Sequence, residues 1–414
     1  MKRRARFVDF IFIMNKFYVL LFTLLCLLVT ACSSTPLLTN MAVTPETISP
    51  RPGEKNRATL ITYALARPAN VSVYLQDANG KYVLRENQPR AAGDFQILFG
   101  GSVNNRTLND GAYQVVVTAQ DANGMHEEKT AALNIINADT SLPELQNFTV
   151  FPQAFTPNQD GLDDRVIIRY YLTKPARVTV YLTDGKQKFP IDEKKETTLL
   201  TEDKLSEIGP HEYDYDAGID RGAPPPPDGQ YTVVAEAVDA NGNLVRAEAP
   251  LVIQDGGTPR AAIIGSAGDF NPRVVPLGDT LFFTVTVKNV GTVPIRTKGP
   301  EPGFVYNTSQ NFSTIEQYEE PGIWRLGVDS EGNSIGRQYP YRWQLGMDNE
   351  LTRVEREGKT IYYLMPGQVA TISGGIKITD KPPKVDPAYW FGLVQEQVRI
   401  VEDHVEPTRI TVDF

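Results

Sequence analysis

The chain contains a second copy of part of itself. Displaced by 107 residues, Val43 to Asp77 aligns without a gap on Val150 to Asp184. The shared residues include Pro45 with Pro152, Tyr63 with Tyr170, Leu65 with Leu172, and Val71, Val73, Leu75 with Val178, Val180, Leu182. Apolar residues at every second position mark a strand with one buried face, so the second copy must take whatever fold the first takes. Later, Asp110-Gly111-Ala112-Tyr113 matches Asp228-Gly229-Gln230-Tyr231 at an offset of 118, which gives the second copy 11 extra residues, expected around Pro224 to Pro227. Each copy runs to about 100 residues, the size of one β-sandwich.

The local signals agree. Thr59 to Leu65 and Val166 to Leu172 have strand composition, Pro68 and Pro175 interrupt, and Asn79-Gly80, Asn123-Gly124 and Asn241-Gly242 are tight-turn signals. From Thr258 the pattern changes. Thr280 to Asn289 reads as a long strand, with further strands at Thr360–Leu364, Ala370–Ile378 and Gln397–Val401, and a closing one at Arg409–Phe414. Beyond the first 31 residues no long segment shows a 3.6-residue apolar period. The expectation is an all-β chain of antiparallel sandwiches in tandem, over 42–138, 146–254 and 258–414. The short stretches Ile136–Pro143 and Gln254–Pro259 join them and limit hinge motion.

Ahead of the repeats, Phe17 to Val29 is an uncharged run preceded by Lys2, Arg3, Arg4, Arg6 and Lys16, shorter than the roughly 20 apolar residues of a membrane span. Its end, Val29-Thr30-Ala31-Cys32, resembles the lipobox of bacterial lipoproteins. The resemblance implies a signal peptide over 1–31, cleavage before Cys32, and a diacylglycerol anchor with palmitate-type chains on its sulfur, followed by a linker over 32–41. An uncleaved anchor helix is the other reading, and Met14 is an alternative start. Cys26 lies inside the signal, so Cys32 is the one cysteine left in the mature chain and no intrachain disulfide can form. Each domain then depends on burial.

Removing residues 1–31 takes five basic residues and one acidic from the 41 and 50 of the whole chain, leaving 36 and 49 and a net of −13. That balance argues against nucleic acid and against binding anionic lipid by charge.

The second copy, with Phe155-Thr-Pro-Asn-Gln-Asp-Gly-Leu-Asp-Asp164, then Pro175-Ala-Arg-Val-Thr-Val-Tyr and Asp228-Gly-Gln-Tyr, resembles the Ig-like domain of the bacterial flagellar hook-capping protein. Thr280 to Pro294, an alternating strand running into Asn-x-Gly, is similar to the opening of adhesion-related Ig-like domains of bacterial surface proteins. These resemblances imply Ig-like sandwiches and say little about function, because such modules serve many proteins.

Asn158, Asp160, Asp163 and Asp164 place four oxygen-bearing side chains around Gly161. The composition partly echoes a calcium loop but lacks its terminal Glu; because the motif is incomplete, an Asx-rich turn capping the strand at Val166 is the first reading and calcium the second. The first copy has Arg51, Gly53, Asn56 and Arg57 there, so an ion site would belong to the second domain alone. All three tryptophans fall after residue 258. They either fill a core or form a binding platform, with Trp324 and Tyr318, in a Pro- and Gly-interrupted loop, as the candidates for exposure. His126, His211 and His404 sit one per region, and His211 in Gly-Pro-His-Glu-Tyr-Asp-Tyr-Asp is the only one in an acidic and aromatic setting. With no phosphate loop, cysteine cluster or nucleophile elbow, no catalysis and no cofactor beyond the possible calcium is expected. The expected role is structural or interactive, at the cell or outer membrane outside the cytoplasm, toward an envelope protein. Glycan binding, as an accessory of polysaccharide metabolism, is the alternative.

Overall fold

The structure is a computed structural model that describes residues 36–191, 205–265, 269–334 and 336–413. The signal peptide and Cys32 lie outside the described residues. Among those described, regular structure is β throughout apart from two short 3₁₀ turns, Ile219–Arg221 and Phe312–Ile315. The chain forms two compact units, one holding the described residues up to Pro143 with Val238–Leu244, the other Glu144–Ala237 with Val245–Phe414.

In the first copy a three-stranded sheet, Leu38–Thr44, Thr59–Leu65 and Gly93–Phe99, faces a five-stranded one ordered Thr47–Ile48, His126–Ile135, Gly111–Gln120, Ala69–Gln76 and Lys81–Arg90. The second copy repeats this order: Leu145–Phe151, Val166–Leu172 and Gly209–Tyr215 face Ala154–Phe155, Leu244–Ile253, Gly229–Asp239, Ala176–Thr183 and Lys188–Ile191. The repeated residues explain the repeated fold. Tyr63, Leu65, Val73 and Leu75 enter the first core, and Tyr170, Leu172, Val180 and Leu182 the second, each apolar side chain contributing about 1.5–3 kcal/mol by leaving water. Between them, Tyr74 and Tyr181 lie outside these cores, on the other face of the sheet, covered by Lys81 and Lys188 at 3.6 and 4.1 Å from the ring centres.

Polar locks recur as well. Tyr113 Oη donates to the Asn109 carbonyl at 2.9 Å and Tyr231 Oη to the Pro227 carbonyl at 2.6 Å, the tyrosine corner of Ig-type sandwiches. Asp110 accepts the amides of Asn137 and Ala138, and Asp228 those of Asp255 and Gly256. In both copies the aspartate of the Asp-Gly pair thereby holds the chain as it leaves the domain.

Two expectations are corrected. The first strand begins at Leu38, with Leu37 and Leu38 fully buried, so the stretch 32–41 is not linker to its end. The 11 extra residues do not fall mainly at Pro224 to Pro227. Leu65 pairs with Gly93 and Leu172 with Gly209, an offset of 116, which puts nine of the extra residues between Ile191 and Gly209. Only two fall before Gly229, where Ile219–Arg221 replaces the small Ser102–Val103 and Arg106–Thr107 hairpin.

The third sandwich is larger. One sheet runs Ala261–Ile263, Thr280–Asn289, Val369–Lys377 and Val305–Asn307, with Asp269–Asn271 also on Thr280–Asn289. The other runs Thr352–Arg356, Lys359–Leu364, Ile295–Thr297, Trp324–Ser330, Ala388–Gln395 and Arg399–Arg409, with Tyr341–Trp343 on Trp324–Ser330. A turn stands where Gln397 and Val398 were expected in strand, and Arg399–Arg409 starts after it. Between the sheets, Phe270 stacks on Phe391 at 4.3 Å and Trp343 meets Phe283 and Tyr306 edge-on at 4.7 and 5.0 Å.

Candidate functional site

The acidic loop of the second copy folds as a closed set of side-chain-to-backbone bonds. Asp164 Oδ1 accepts the amides of Asn158 and Gln159 at 3.0 and 2.7 Å, and its Oδ2 that of Gly161 at 2.7 Å. Asn158 Oδ1 accepts from Asp160 N at 3.0 Å, and Asp160 Oδ1 from Leu162 N at 2.8 Å. These are the bonds of an Asx-rich turn. Among the described residues, no group of three or more His, Cys, Asp and Glu side chains is placed to hold a metal ion, and the oxygens of Asn158, Asp160 and Asp164 are engaged in the bonds of the turn.

The closed loop is also a dock. Within this unit it meets the third sandwich through matched groups. Tyr363 Oη donates to Asp160 Oδ2 at 2.9 Å, Arg296 Nη1 to the Asp160 carbonyl at 3.0 Å, and Gln395 Nε2 to the Gln159 carbonyl at 3.1 Å. Arg356 pairs with Asp163. Burial pushes the Asp160 carboxyl up from its ordinary value. Burial and the neighbouring Asp160 charge raise Asp164 to about 6, against the pull of its amide donors.

Two glycines set the closeness of approach. Gly161 has φ +80, and a Cβ there would lie 2.1 Å from the Pro321 carbonyl oxygen; Gly322 has φ +77, and its Cβ would lie 2.4 Å from the Asp160 carbonyl carbon. Neither position admits a side chain without parting the two loops.

The receiving loop, 318–323, is pinned from below by buried charge. Glu396 and Arg325 are each at most 1% exposed, and Arg342 is 5% exposed. Arg325 Nε donates to the Lys298 carbonyl at 2.6 Å and Nη2 to the Tyr318 carbonyl at 3.1 Å, with Nη1 in ion-pair contact with Glu396 at 3.0 Å. Arg342 Nη1 bridges Glu396 and Glu319 at 2.9 and 3.0 Å, and its guanidinium lies 4.0 Å from the Phe312 ring centre. Glu396 Oε2 accepts the Glu320 amide at 3.0 Å. Burial raises the Glu396 carboxyl and lowers the Arg325 guanidinium, each opposed by the other's charge.

Of the two aromatic candidates, Tyr318 is exposed (66%) and Trp324 is not: at 1% exposure it is core, because it lies on the strand Trp324–Ser330 whose side chains are buried nearly throughout. Trp343 is buried too, and Trp390 is half-buried with His404 stacked on it at 4.3 Å. His211 stacks on Tyr170 at 5.1 Å, its Nε2 2.8 Å from the Glu207 carbonyl oxygen.

Sequence reasoning found the docking loop and missed the donors that hold it, Arg296, Tyr363, Arg356 and Gln395, along with the buried Arg325, Arg342 and Glu396. Scattered over a hundred residues on different strands, they share no spacing. The one local hint is Pro321-Gly322, a turn inside an aromatic stretch.

No family model and no curated protein matches the chain. Among solved structures it is similar to the native α2-macroglobulin of E. coli (10% identity, 92% of this chain and 23% of that one, TM-score 0.22). It is also similar to a Ca²⁺-stabilized ice-binding adhesin of an Antarctic bacterium (12%, 91% and 73%, 0.21) and to the Bacteroides ovatus SGBP-B of a mixed-linkage glucan utilization locus (10%, 90% and 70%, 0.16). The chain thus spans under a quarter of the macroglobulin's length. Scores of this size carry no functional argument. The class rests on the sheets themselves: an all-β protein of sandwich domains in tandem.

Proposed function

We propose that this is a non-catalytic, extracytoplasmic protein, lipid-anchored at Cys32, whose second and third sandwiches form one stiff arm that holds a binding surface away from the membrane for an envelope protein or glycan. The observation that carries the reading is the interlock of loops 158–164 and 318–323 around Gly161 and Gly322, over a half-buried Asp160–Tyr363 bond. A jointed tether needs no such fit, and two domains free to swing would leave Asp160 in water. The lipobox-like Val29-Thr30-Ala31-Cys32 supports the anchor, and the acidic, disulfide-free mature chain suits an envelope setting without nucleic acid.

Two experiments test the reading. Replacing Cys32 by Ser should move the protein from the membrane to the soluble fraction; retention in the membrane contradicts the anchor. A pull-down from solubilised envelopes with the mature protein should capture a partner that is lost when residues 258–414 are deleted. Equal capture by both forms would remove the third sandwich from the function.

A further inference from the structure

The interlock leaves a cleft beside it. With a volume of about 790 Å³ and open to solvent, it is walled by Leu162 and Asp163 of the docking loop, by Arg296 and Lys298, and by the hairpin from Arg356 to Tyr362. Pockets of this size accommodate ligands of several rings.

Its chemistry narrows the ligand. Four basic and five acidic side chains line it, so the walls are close to neutral. The central charges are matched with each other: Arg296 and Lys298 both bond Glu320, and Arg356 bonds Asp163. An anion or a cation of high charge would have to break these pairs and would gain little net field. A lipid or other apolar ligand would find only Leu162, Ile361 and Tyr362. A peptide adding to the edge strand Thr352–Arg356 would meet its outward charges, with Arg353 and Glu355 paired on the edge.

What remains is an uncharged ligand rich in hydroxyls, which uses fixed donors and acceptors in close alternation and an aromatic face to lie on. Tyr362 supplies that face: it lines the cleft, and it is half-buried, packed against the core of the third sandwich. We infer that the cleft beside the interlock binds a neutral oligosaccharide, with Tyr362 as the ring platform and Arg356 and Lys359 at its open side. This deepens the presentation reading and rests on it, because Leu162 and Asp163 complete the wall only while the loops are docked. Ligand binding and docking must then favour each other by the same factor.

The test is calorimetric titration of the mature full-length protein with gluco-, manno- and xylo-hexaoses, and with an oligogalacturonate of similar length as the anionic control. At least one neutral hexaose should bind at millimolar concentration or below, at least tenfold more weakly to Tyr362→Ala and nearly unchanged to Tyr362→Phe. Lys359→Ala, on the exposed hairpin, should weaken binding several-fold and covers the case in which Tyr362→Ala fails to fold. Absence of binding to every neutral hexaose, preference for the galacturonate, or full affinity in both Tyr362→Ala and Lys359→Ala would each overturn the inference. Loss of the ligand alone would leave the stiff arm standing if Gly161→Ala still uncouples the two sandwiches. If it does not, the presentation reading falls instead.

Discussion

The same turn has two fates in the two copies. In the first, Pro50 to Arg57 closes through backbone bonds such as Ser49 N to Asn56 O at 2.7 Å, Arg57 Nη2 donates to the Ala240 carbonyl at 2.9 Å, and nothing lies within 4 Å of where Gly53 would place a Cβ. In the second, Pro157 to Asp164 carries carboxylates at the matching places, closes around Asp164, and fits into the third sandwich so tightly that Gly161 has no room for a methyl group. The cores that flank these turns are nearly the same. A handful of loop residues, not the fold, separates a turn with free space at its glycine from one whose glycine is closed in.

The largest way to break the contrast is from below. Glu396→Gln leaves Arg325 and Arg342 buried without their shared carboxylate, and should cost about 3–5 kcal/mol in denaturant unfolding of the third sandwich. A cost under 1 kcal/mol would mean that the cluster does not hold loop 318–323. Next, Asp164→Ala leaves the amides of Asn158, Gln159 and Gly161 without their acceptor. A loss of about 2–3 kcal/mol is expected, measured as the shift in unfolding midpoint.

Acidity probes the same carboxyl with a smaller effect. The folded protein holds the Asp164 proton to about 6, above the roughly 3.9 of an unfolded aspartate. The folded state therefore binds that proton more tightly. Its stabilising contribution is fully present below about pH 4 and is lost as pH rises through about 6, and Asp160, also raised, moves in the same direction. The stability difference between wild type and Asp164→Ala should widen when the pH is lowered from 7.5 to 5. A narrowing difference would contradict the burial of this group.

What could be read from the chain, and what could not, divides along range. Period-two alternation in Val71, Val73 and Leu75 and their repeats is local, and it placed strands that the cores use as expected. The acidic loop was recognisable as a closed turn because Asx bonds span two to six residues. Its role as a dock was hidden, because Tyr363 lies 203 positions away from Asp160 and a tyrosine on a strand has many uses. Trp324 misled for the opposite reason. Its neighbours Pro321 and Gly322 signal a loop, but the strand begins at Trp324 itself and turns the indole inward.

The central claim is that the second and third sandwiches act as one body through the glycine contact. Differential scanning calorimetry of the mature protein, beside Gly161→Ala and Gly53→Ala, tests it most directly. The account predicts that the two sandwiches melt together in the wild type and in Gly53→Ala, where only the positive φ is penalised by about 1 kcal/mol. In Gly161→Ala, where the methyl group meets Pro321, they should melt in two separate steps. Two separate steps in all three proteins, or one shared step that Gly161→Ala leaves intact, would contradict it.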